Sequence, residues 1–153
     1  MPSETLALRK AGPGDLPGLL ELYQALNPSD PALTVQEAGA PFAAMLEQPG
    51  LTVFLAMHDG KPVATATLLV VPNLTRAARP YALIENVVTL EALRGRGYGR
   101  MVARHAIEAA FAAGCYKVML LTGRDDPAVH AFYESCGFVQ NKTGFQIRSE
   151  NFQ

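Results

Sequence analysis

Hydrophobic and polar residues alternate with two different periods along the chain, and the changes of period mark the predicted elements. Strict alternation over residues 6–10 predicts a first strand. The turn that follows, at residues 12–15, offers Asp15 as a helix N-cap. Apolar residues then recur at helical spacing, which predicts an amphipathic helix that ends near Asn27. These residues are Leu16, Leu19, Leu20, Tyr23 and Leu26.

A second helix and a hairpin come next. Thr34 and Glu37 have the spacing of a capping box, which predicts a helix from there to about residue 48. Two β-rich runs, residues 51–57 and 61–71, are joined by His58-Asp59-Gly60. The Asp-Gly pair favours a tight hairpin turn.

The second half of the chain continues the alternation of strands and helices. Residues 81–89 predict a strand, and a glycine-rich turn leads into a long helix over residues 97–113. A continuously apolar strand over residues 116–122 is expected to be buried on both faces. A short helix over residues 127–135 follows, and two extended segments from residue 138 complete the chain. This order predicts one α/β domain, residues 1–153, around a mixed sheet.

Composition places the chain among globular proteins. Of its 153 residues, 49% are hydrophobic and 18% are charged, and the net charge is −1. A chain so close to neutral lacks the positive field of a nonspecific nucleic-acid binder, so no nucleic acid is expected as a partner. No signal-peptide pattern opens the sequence, and no apolar run is long enough to span a bilayer as a helix. We therefore expect a cytoplasmic protein with no membrane partner.

The most informative segment is Arg94-Gly95-Arg96-Gly97-Tyr98-Gly99-Arg100, between a predicted strand and a predicted helix. Amides at the start of a helix have no intrahelical partner and point outwards with the positive end of the helix dipole. The glycines leave room for a phosphate, and the arginines add positive charge. The segment therefore predicts a pyrophosphate site.

Two common phosphate-binding motifs do not fit this segment. Counting from Gly95, the dinucleotide fingerprint needs a glycine where Arg100 stands, and the Walker pattern needs Lys followed by Ser or Thr. What remains is Arg94-x-x-Gly97-x-Gly99. It resembles the turn that wraps the CoA pyrophosphate in the GNAT superfamily of N-acetyltransferases. A generic glycine-rich connection with solvated arginines is the alternative.

A second motif strengthens the resemblance. Residues 132–138, Phe-Tyr-Glu-Ser-Cys-Gly-Phe, are similar to a sequence that GNAT members carry in their last helix and the following strand. Residues 84–88 and 144–148 are also similar to the glucosamine-6-phosphate N-acetyltransferases. The resemblance implies a single-domain GNAT-like α/β fold, with a mixed, mostly antiparallel sheet of about seven strands flanked by about four helices.

The same resemblance implies acetyl-CoA as co-substrate and a set of residues that bind it. The backbone of residues 87–89 pairs with the pantetheine arm as an extra strand, and an N–H there steadies the developing oxyanion. Asp126 stands where many members carry Asn. The implied cofactor-binding residues are Val87, Val88, Thr89, Arg94, Gly95, Arg96, Gly97, Tyr98, Gly99, Arg100 and Asp126.

Two residues are candidates for catalysis. Aminolysis of a thioester needs a neutral amine, so a base must deprotonate the acceptor. Glu85 is the candidate base, because a carboxylate in an apolar strand is costly unless it is paired or functional. Alternation predicts that Glu85, Val87 and Thr89 share one face of that strand. The resemblance implies Tyr133 as the acid that protonates the CoA thiolate. A paired structural Glu85 and a packing Tyr133 are the competing interpretations.

Other reactive side chains have simpler interpretations. Cys115 and Cys136 are expected to be buried structural thiols rather than nucleophiles. The histidines His58, His105 and His130 are widely separated and lack metal-ligand spacing, so no metal is predicted.

The sequence thus predicts an enzyme that moves the acetyl group of acetyl-CoA to a primary amine of a small molecule, by direct attack in a ternary complex. The alternatives are a protein or peptide N-acetyltransferase and a noncatalytic acyl-CoA-binding sensor module. The presence of both Glu85 and Tyr133 favours the enzyme. Arg76 and Arg79 suit an anionic group on the acceptor, with solvated loop charges as the simpler explanation. A homodimer is expected from the habit of the superfamily.

Overall fold

The computed structural model describes residues 6–152. The chain divides into two compact units, residues 1–120 and residues 121–153. The prediction that no signal peptide opens the sequence falls on residues 1–5, which lie outside the described part.

The first unit carries the sheet, and the second carries one helix. The strands are β1 (Leu6–Lys10), β2 (Leu51–His58), β3 (Lys61–Val71), β4 (Tyr81–Thr89) and β5 (Val118–Met119). The helices are α1 (Leu16–Leu26), α2 (Val35–Glu47), α3 (Thr75–Ala78), α4 (Tyr98–Ala112) and α5 (Pro127–Ser135). Short 3-10 turns occur at Pro13–Asp15, Glu91–Leu93 and Glu150–Phe152.

The strands form one sheet in the order β1-β2-β3-β4-β5. Neighbouring strands from β1 to β4 run antiparallel, and β5 runs parallel to β4. The prediction of an α/β fold with a mixed, mostly antiparallel sheet is confirmed. The β2–β3 hairpin turns at Asp59 and Gly60, which both have positive φ, as the Asp-Gly pair predicted.

The predicted number of elements was wrong, because residues 6–152 contain five strands and five helices. The strand predicted over residues 116–122 forms only at Val118–Met119, which is half-buried. No strand forms after residue 138 in the described chain, where Phe145 is 92% and Ile147 98% exposed. Apolar patterning makes a strand only where a neighbouring edge accepts its hydrogen bonds, and those residues pair with no described strand.

The additional helix is α3, a single turn that the sequence left as a polar connection. Its residues Arg76, Ala77 and Ala78 have φ of 55°, 59° and 61°, so the turn is left-handed. The side-chain amide of Asn73 spans it by donating to Thr75 Oγ1 at 2.8 Å and to the Arg79 carbonyl at 3.1 Å. Since left-handed backbone costs non-glycine residues roughly 1–2 kcal/mol each, no propensity argument would have predicted this turn.

Two helical layers cover the sheet of the first unit. One face carries a buried cluster shared by α1, α2, β2 and β4, and its members are Leu16, Leu19, Leu22, Ala38, Phe42, Val53, Leu55, Met57 and Val88. On the other face the ring of Phe54 packs edge-on against His105 of α4, with centroids 5.1 Å apart. Since successive side chains of a strand point to opposite faces, α1 and α2 lie on one face and α4 on the other.

The helix starts differ in how they are capped. The predicted capping box of α2 is confirmed: Thr34 Oγ1 accepts from the Glu37 N–H at 3.1 Å, and Glu37 accepts from the Thr34 N–H at 2.8 Å. Asp15 precedes α1 as predicted, but its carboxylate does not cap that helix. It accepts two bonds from the Arg9 guanidinium, at 2.7 and 2.8 Å, and one from the Gly12 N–H at 2.7 Å.

The Arg9–Asp15 pair makes stability depend on pH in a predictable direction. The hydrogen bond from Arg9 is the main cause of a lowered pKa at Asp15, and burial opposes it. We expect Asp15→Ala to lower the free energy of unfolding by about 1–2 kcal/mol at pH 7. A depressed folded-state pKa contributes stability above the unfolded-state value of about 3.9, and that contribution is lost as the pH falls through the folded-state pKa.

Urea denaturation of the wild type and the variant at decreasing pH measures this difference. Asp30→Ala is the matched control, because the exposed Asp30 carboxylate contacts no described partner, and it should change little at any pH. A stability gap for Asp15→Ala that stays constant down to strongly acidic pH would contradict the pairing.

Candidate active site

The predicted glycine-rich turn lies between β4 and α4. Gly95 and Gly97 have φ of 79° and 89°, a region that side chains strain to adopt, and Gly97 is the N-cap of α4. A β-carbon at either glycine would meet nothing within 4 Å. The turn therefore needs its glycines for backbone conformation, and the space beside them is open.

The first amides of α4 are available to a ligand. The first bond of the helix runs from the Met101 N–H to the Gly97 carbonyl, at 3.0 Å. Gly97 offers no side-chain cap, and the N–H groups of Tyr98, Gly99 and Arg100 donate to no residue among 6–152. Unpaired amides at the positive end of a 15-residue helix favour an anion.

Three arginines of the turn and of the start of α4 are exposed. Arg94 Nε donates to the Thr89 carbonyl at 3.2 Å, which ties the turn to the end of β4. The exposed side chains of Arg96 and Arg100 add positive charge at the helix start. Charge, open space and free amides together suit a phosphate-bearing ligand.

The Tyr98 side chain links this turn to the β2–β3 hairpin. Its side chain is only 6% exposed, and its hydroxyl lies 2.6 Å from Nδ1 of His58, at the end of β2. The contact fixes the first turn of α4 to the β2–β3 hairpin. Any part that Tyr98 takes in cofactor binding would therefore come from its backbone amide.

A β-bulge interrupts the pairing of β3 with β4. Thr65 pairs with Val88 and Thr67 with Glu85, so one residue of β3 opposes two residues of β4, Asn86 and Val87. Asn86 has φ of 54°, a conformation that Asn tolerates better than most residues. Such an extra residue bends a strand and disrupts its ladder locally.

The bulge corrects the predicted faces of β4. Thr65 and Thr67 are two residues apart in β3 and share a face, so their partners Val88 and Glu85 share that face too. Val88 belongs to the buried cluster beneath α1 and α2. The prediction that Glu85 and Thr89 lie on one face was wrong, because an inserted residue reverses the alternation. Glu85 lies on the α1–α2 face, and the turn before α4 leads to the opposite face.

One edge of β4 is open near Glu85. Strand β4 pairs with β5 only at Ala82 and Leu83. Beyond them, no strand in residues 6–152 pairs with that edge at Val87, Val88 or Thr89. Unpaired backbone groups on a sheet edge are a template for another extended chain.

Glu85 itself is exposed. Its carboxylate makes no hydrogen bond or ion pair with any residue of the described range. The competing interpretation, a Glu neutralised by a basic neighbour, therefore finds no partner among those residues. A carboxylate left without a cation or an N–H donor is available to accept a proton.

The second unit holds the other candidates. The Tyr133 ring lies edge-on to Phe132 and Phe138, with centroids 5.1 and 6.1 Å away. Asp126 is the N-cap of α5, and its Oδ1 accepts from the Ala128 N–H at 2.9 Å. His130, one helical turn before Tyr133, lies 2.9 Å through Nε2 from the Arg124 carbonyl. The Asp126 side chain thus already has a structural role.

The two cysteines are buried. Burial raises the pKa of the Cys115 thiol, which disfavours the nucleophilic thiolate. No group of three or more metal-ligating side chains forms within residues 6–152. No helix in the same range is long and apolar enough to cross a membrane.

A cleft of about 590 Å³ lies near the start of β4. It is lined by Gln48, Pro49, Gly50, Val70, Pro72, Asn73, Ala78 and Pro80. Neither Glu85 nor the glycine turn contributes to it.

Comparison with known proteins decides which kind of phosphate-bearing ligand is relevant. The sequence profile of the Acetyltransferase (GNAT) family matches residues 19–138. This chain belongs to the GNAT family. The match begins in α1 and ends at Phe138, so it includes Glu85, the glycine turn and Tyr133.

Named relatives agree with this assignment. The probable glucosamine 6-phosphate N-acetyltransferase 2 of Oryza sativa subsp. japonica is 36% identical over 128 residues, 80% of this chain and 75% of the rice protein. The glucosamine 6-phosphate N-acetyltransferase of Trypanosoma brucei brucei is 33% identical over 135 residues, 87% of this chain and 88% of that protein. A putative acetyltransferase from Agrobacterium tumefaciens str. C58 has 85% identity and a TM-score of 0.92, covering 94% of this chain and 99% of that one.

As a GNAT acetyltransferase with such relatives, the chain is an N-acetyltransferase, which confirms the prediction of an enzyme. Members of the family bind acetyl-CoA or CoA, in agreement with the predicted co-substrate. Sequence reasoning missed the bulge in β4. An Asn inside an apolar strand was the available signal, because Asn tolerates positive φ.

The bulge gives a direct test of this geometry. We expect Asn86→Val to lower the free energy of unfolding by roughly 1–2 kcal/mol, because a β-branched side chain is strained at positive φ. It should also lower kcat/KM by displacing Glu85. Asn86→Gly is the matched control and should retain both. Denaturation and steady-state kinetics measure the two effects, and equal behaviour of Val and Gly would contradict the observed backbone.

Proposed function

We propose that this GNAT enzyme transfers the acetyl group of acetyl-CoA directly to a primary amine of a small molecule within a ternary complex. The observation that carries the proposal is the open edge of β4, which has Glu85 just before it and the anion-attracting turn just after it. Glu85 lies in the middle of β4 and the turn follows its end, and this spacing suits a cofactor with a long arm and a diphosphate.

The cofactor is proposed to lie along the end of β4. Its diphosphate would accept hydrogen bonds from the amides at Gly97 to Arg100, with Arg94 and Arg96 nearby. Its pantetheine arm would pair with the backbone of residues 87–89 as an added strand. The open space beside Gly95 and Gly97 supports this placement. Asp126 is proposed to contact the cofactor on the family resemblance alone.

The proposed reaction needs a base for the acceptor amine and an acid for the CoA thiolate. Glu85, directly or through a water, takes a proton from the ammonium form of the acceptor, and the neutral amine attacks the thioester carbonyl. A backbone N–H of residues 87–89 donates a hydrogen bond to the oxyanion and stabilises it. The C–S bond then breaks, and the departing CoA thiolate takes a proton from the Tyr133 hydroxyl. The nitrogen of the new amide still carries one excess proton, which passes to the Tyr133 phenolate directly or through water, and Glu85 releases its proton to solvent. The Tyr133 role also comes from the family resemblance. No covalent enzyme intermediate is needed, and the raised pKa of Cys115 gives no support for one.

For the acceptor, we propose a small amino sugar that carries an anionic group. Two relatives above 30% identity are named as glucosamine 6-phosphate N-acetyltransferases. The exposed arginines Arg76 and Arg79 supply cations for an anion, and the Arg76 guanidinium lies 5.8 Å from the centre of the Tyr116 ring. Homodimer formation and a cytoplasmic location remain predictions from the sequence.

An amine panel tests the proposal. CoA release from acetyl-CoA should be fastest with a phosphorylated amino sugar such as glucosamine 6-phosphate. It should be slower with glucosamine, which lacks the phosphate, and with lysine peptides. Thiol release measured with a chromogenic thiol reagent gives the rates. Preference for peptides would favour a protein N-acetyltransferase, and tight CoA binding without turnover on any amine would favour a sensor.

The role of Glu85 predicts a pH signature. Glu85→Gln should lower kcat by about 100-fold or more near neutral pH. The defect should shrink as the pH rises towards the pKa of the acceptor amine, because solvent then removes the proton that Glu85 takes. Glu108→Gln, at an exposed position of α4, should match the wild type. A defect independent of pH would argue against a base.

The role of Tyr133 predicts a separation of binding from turnover. Tyr133→Phe should lower kcat by about 100-fold while the Kd for CoA, measured by calorimetry, stays within about twofold. Tyr81→Phe is the control, since it removes a phenol hydroxyl at the start of β4, far along the strand from the glycine turn. Equal losses of affinity and turnover would count against the acid.

A further inference from the structure

Two buried hydroxyls lie on the α1–α2 face without hydrogen-bond partners. They belong to Tyr23 of α1 and Thr67 of β3, and neither oxygen bonds to any residue of the described part. Buried polar groups are rarely left unpaired, because they lose their hydrogen bonds to water. The absence of partners for two neighbouring hydroxyls needs a physical reason.

The two hydroxyls lie beside each other. Burial is the larger effect on Tyr23 and raises its pKa, while the adjacent Thr67 hydroxyl acts in the opposite direction. The contact does not reach the geometry of a hydrogen bond. The two hydroxyls are therefore neighbours that are not hydrogen-bonded to each other.

The register of the sheet places this pair behind Glu85. Thr67 is the cross-strand partner of Glu85, and directly opposed residues of antiparallel strands project to the same face with β-carbons about 5 Å apart. That distance is within reach of a glutamate side chain. No described residue donates a hydrogen bond to the Glu85 carboxylate, and neither hydroxyl donates its proton to a described residue.

We propose that Tyr23 and Thr67 are positioning residues that form a hydroxyl relay and orient the Glu85 carboxylate during the reaction. The proposal rests on the base role of Glu85 given under Proposed function. In the relay the Tyr23 O–H donates to Thr67 Oγ1, and the Thr67 O–H donates to a Glu85 carboxylate oxygen. Both buried hydroxyls are then satisfied, and the second carboxylate oxygen faces the amine. No bond to a heavy atom forms or breaks in this step.

The neighbouring Thr65 shows what a purely structural threonine looks like at this place. It lies two residues away in β3, on the same face, and is fully buried. Its hydroxyl donates to the Phe54 carbonyl at 2.8 Å. Thr65 therefore already has its partner, whereas Thr67 has none within the described chain.

This contrast gives a matched pair of variants. Thr67→Val removes an unsatisfied hydroxyl at constant shape, so the Tm should stay level or rise, while kcat should fall about 10-fold with little change in KM. Thr67→Ser should recover kcat to within about threefold, because it keeps the hydroxyl. Tyr23→Phe should behave like Thr67→Val. Thr65→Val should do the opposite, lowering the Tm by about 2–4 °C with kcat unchanged.

A double-variant cycle tests the route through Glu85. In a Glu85→Ala background, adding Thr67→Val or Tyr23→Phe should cost no further kcat, because the group they orient is gone. Additive losses would overturn the relay, and so would an unchanged kcat in Thr67→Val. An unchanged kcat in Glu85→Ala alone would instead overturn the base role in the proposed function, so the two failures are distinguishable.

Discussion

The bulge at Asn86 and Val87 interrupts the β3–β4 ladder in the middle of β4, and the geometry of the candidate site depends on it. Because one extra residue reverses the alternation, Glu85 and Val88 lie on the same face. Val88 enters the core beneath α1 and α2, and that buried contact holds the register. Without the bulge, Glu85 and Val88 would point to opposite faces. The packing of one apolar residue thus fixes the direction of one carboxylate.

Two kinds of backbone group then converge along β4. The strand edge at residues 87–89 offers unpaired groups that suit an extended chain, and the start of α4 offers amides that suit an anion. Arg94 links them through its bond to the Thr89 carbonyl. The contact between Tyr98 and His58 holds the start of α4 against the end of β2. Gly95 and Gly97 are needed for their positive φ, and the space beside them is open.

Local signals were enough to predict much of this fold. The Asp-Gly hairpin, the Thr34–Glu37 capping box and the glycine turn before α4 each depend on a few adjacent residues, and each is present in the structure. The faces of β4 could not be derived in the same way, because a bulge depends on the pairing of two strands. The strands expected after residue 138 did not form for a related reason, since period alone supplies no partner edge. The left-handed turn at Arg76 depends on Asn73 reaching across it.

A crystal structure of the enzyme with bound CoA would show where the cofactor lies relative to β4 and the glycine turn. We expect main-chain hydrogen bonds between the pantetheine arm and residues 87–89, the diphosphate on the amides at the start of α4, and Asn86 still at positive φ. A β4 edge that is closed by another strand in the complex, or a diphosphate bound away from the Gly97 turn, would contradict this expectation.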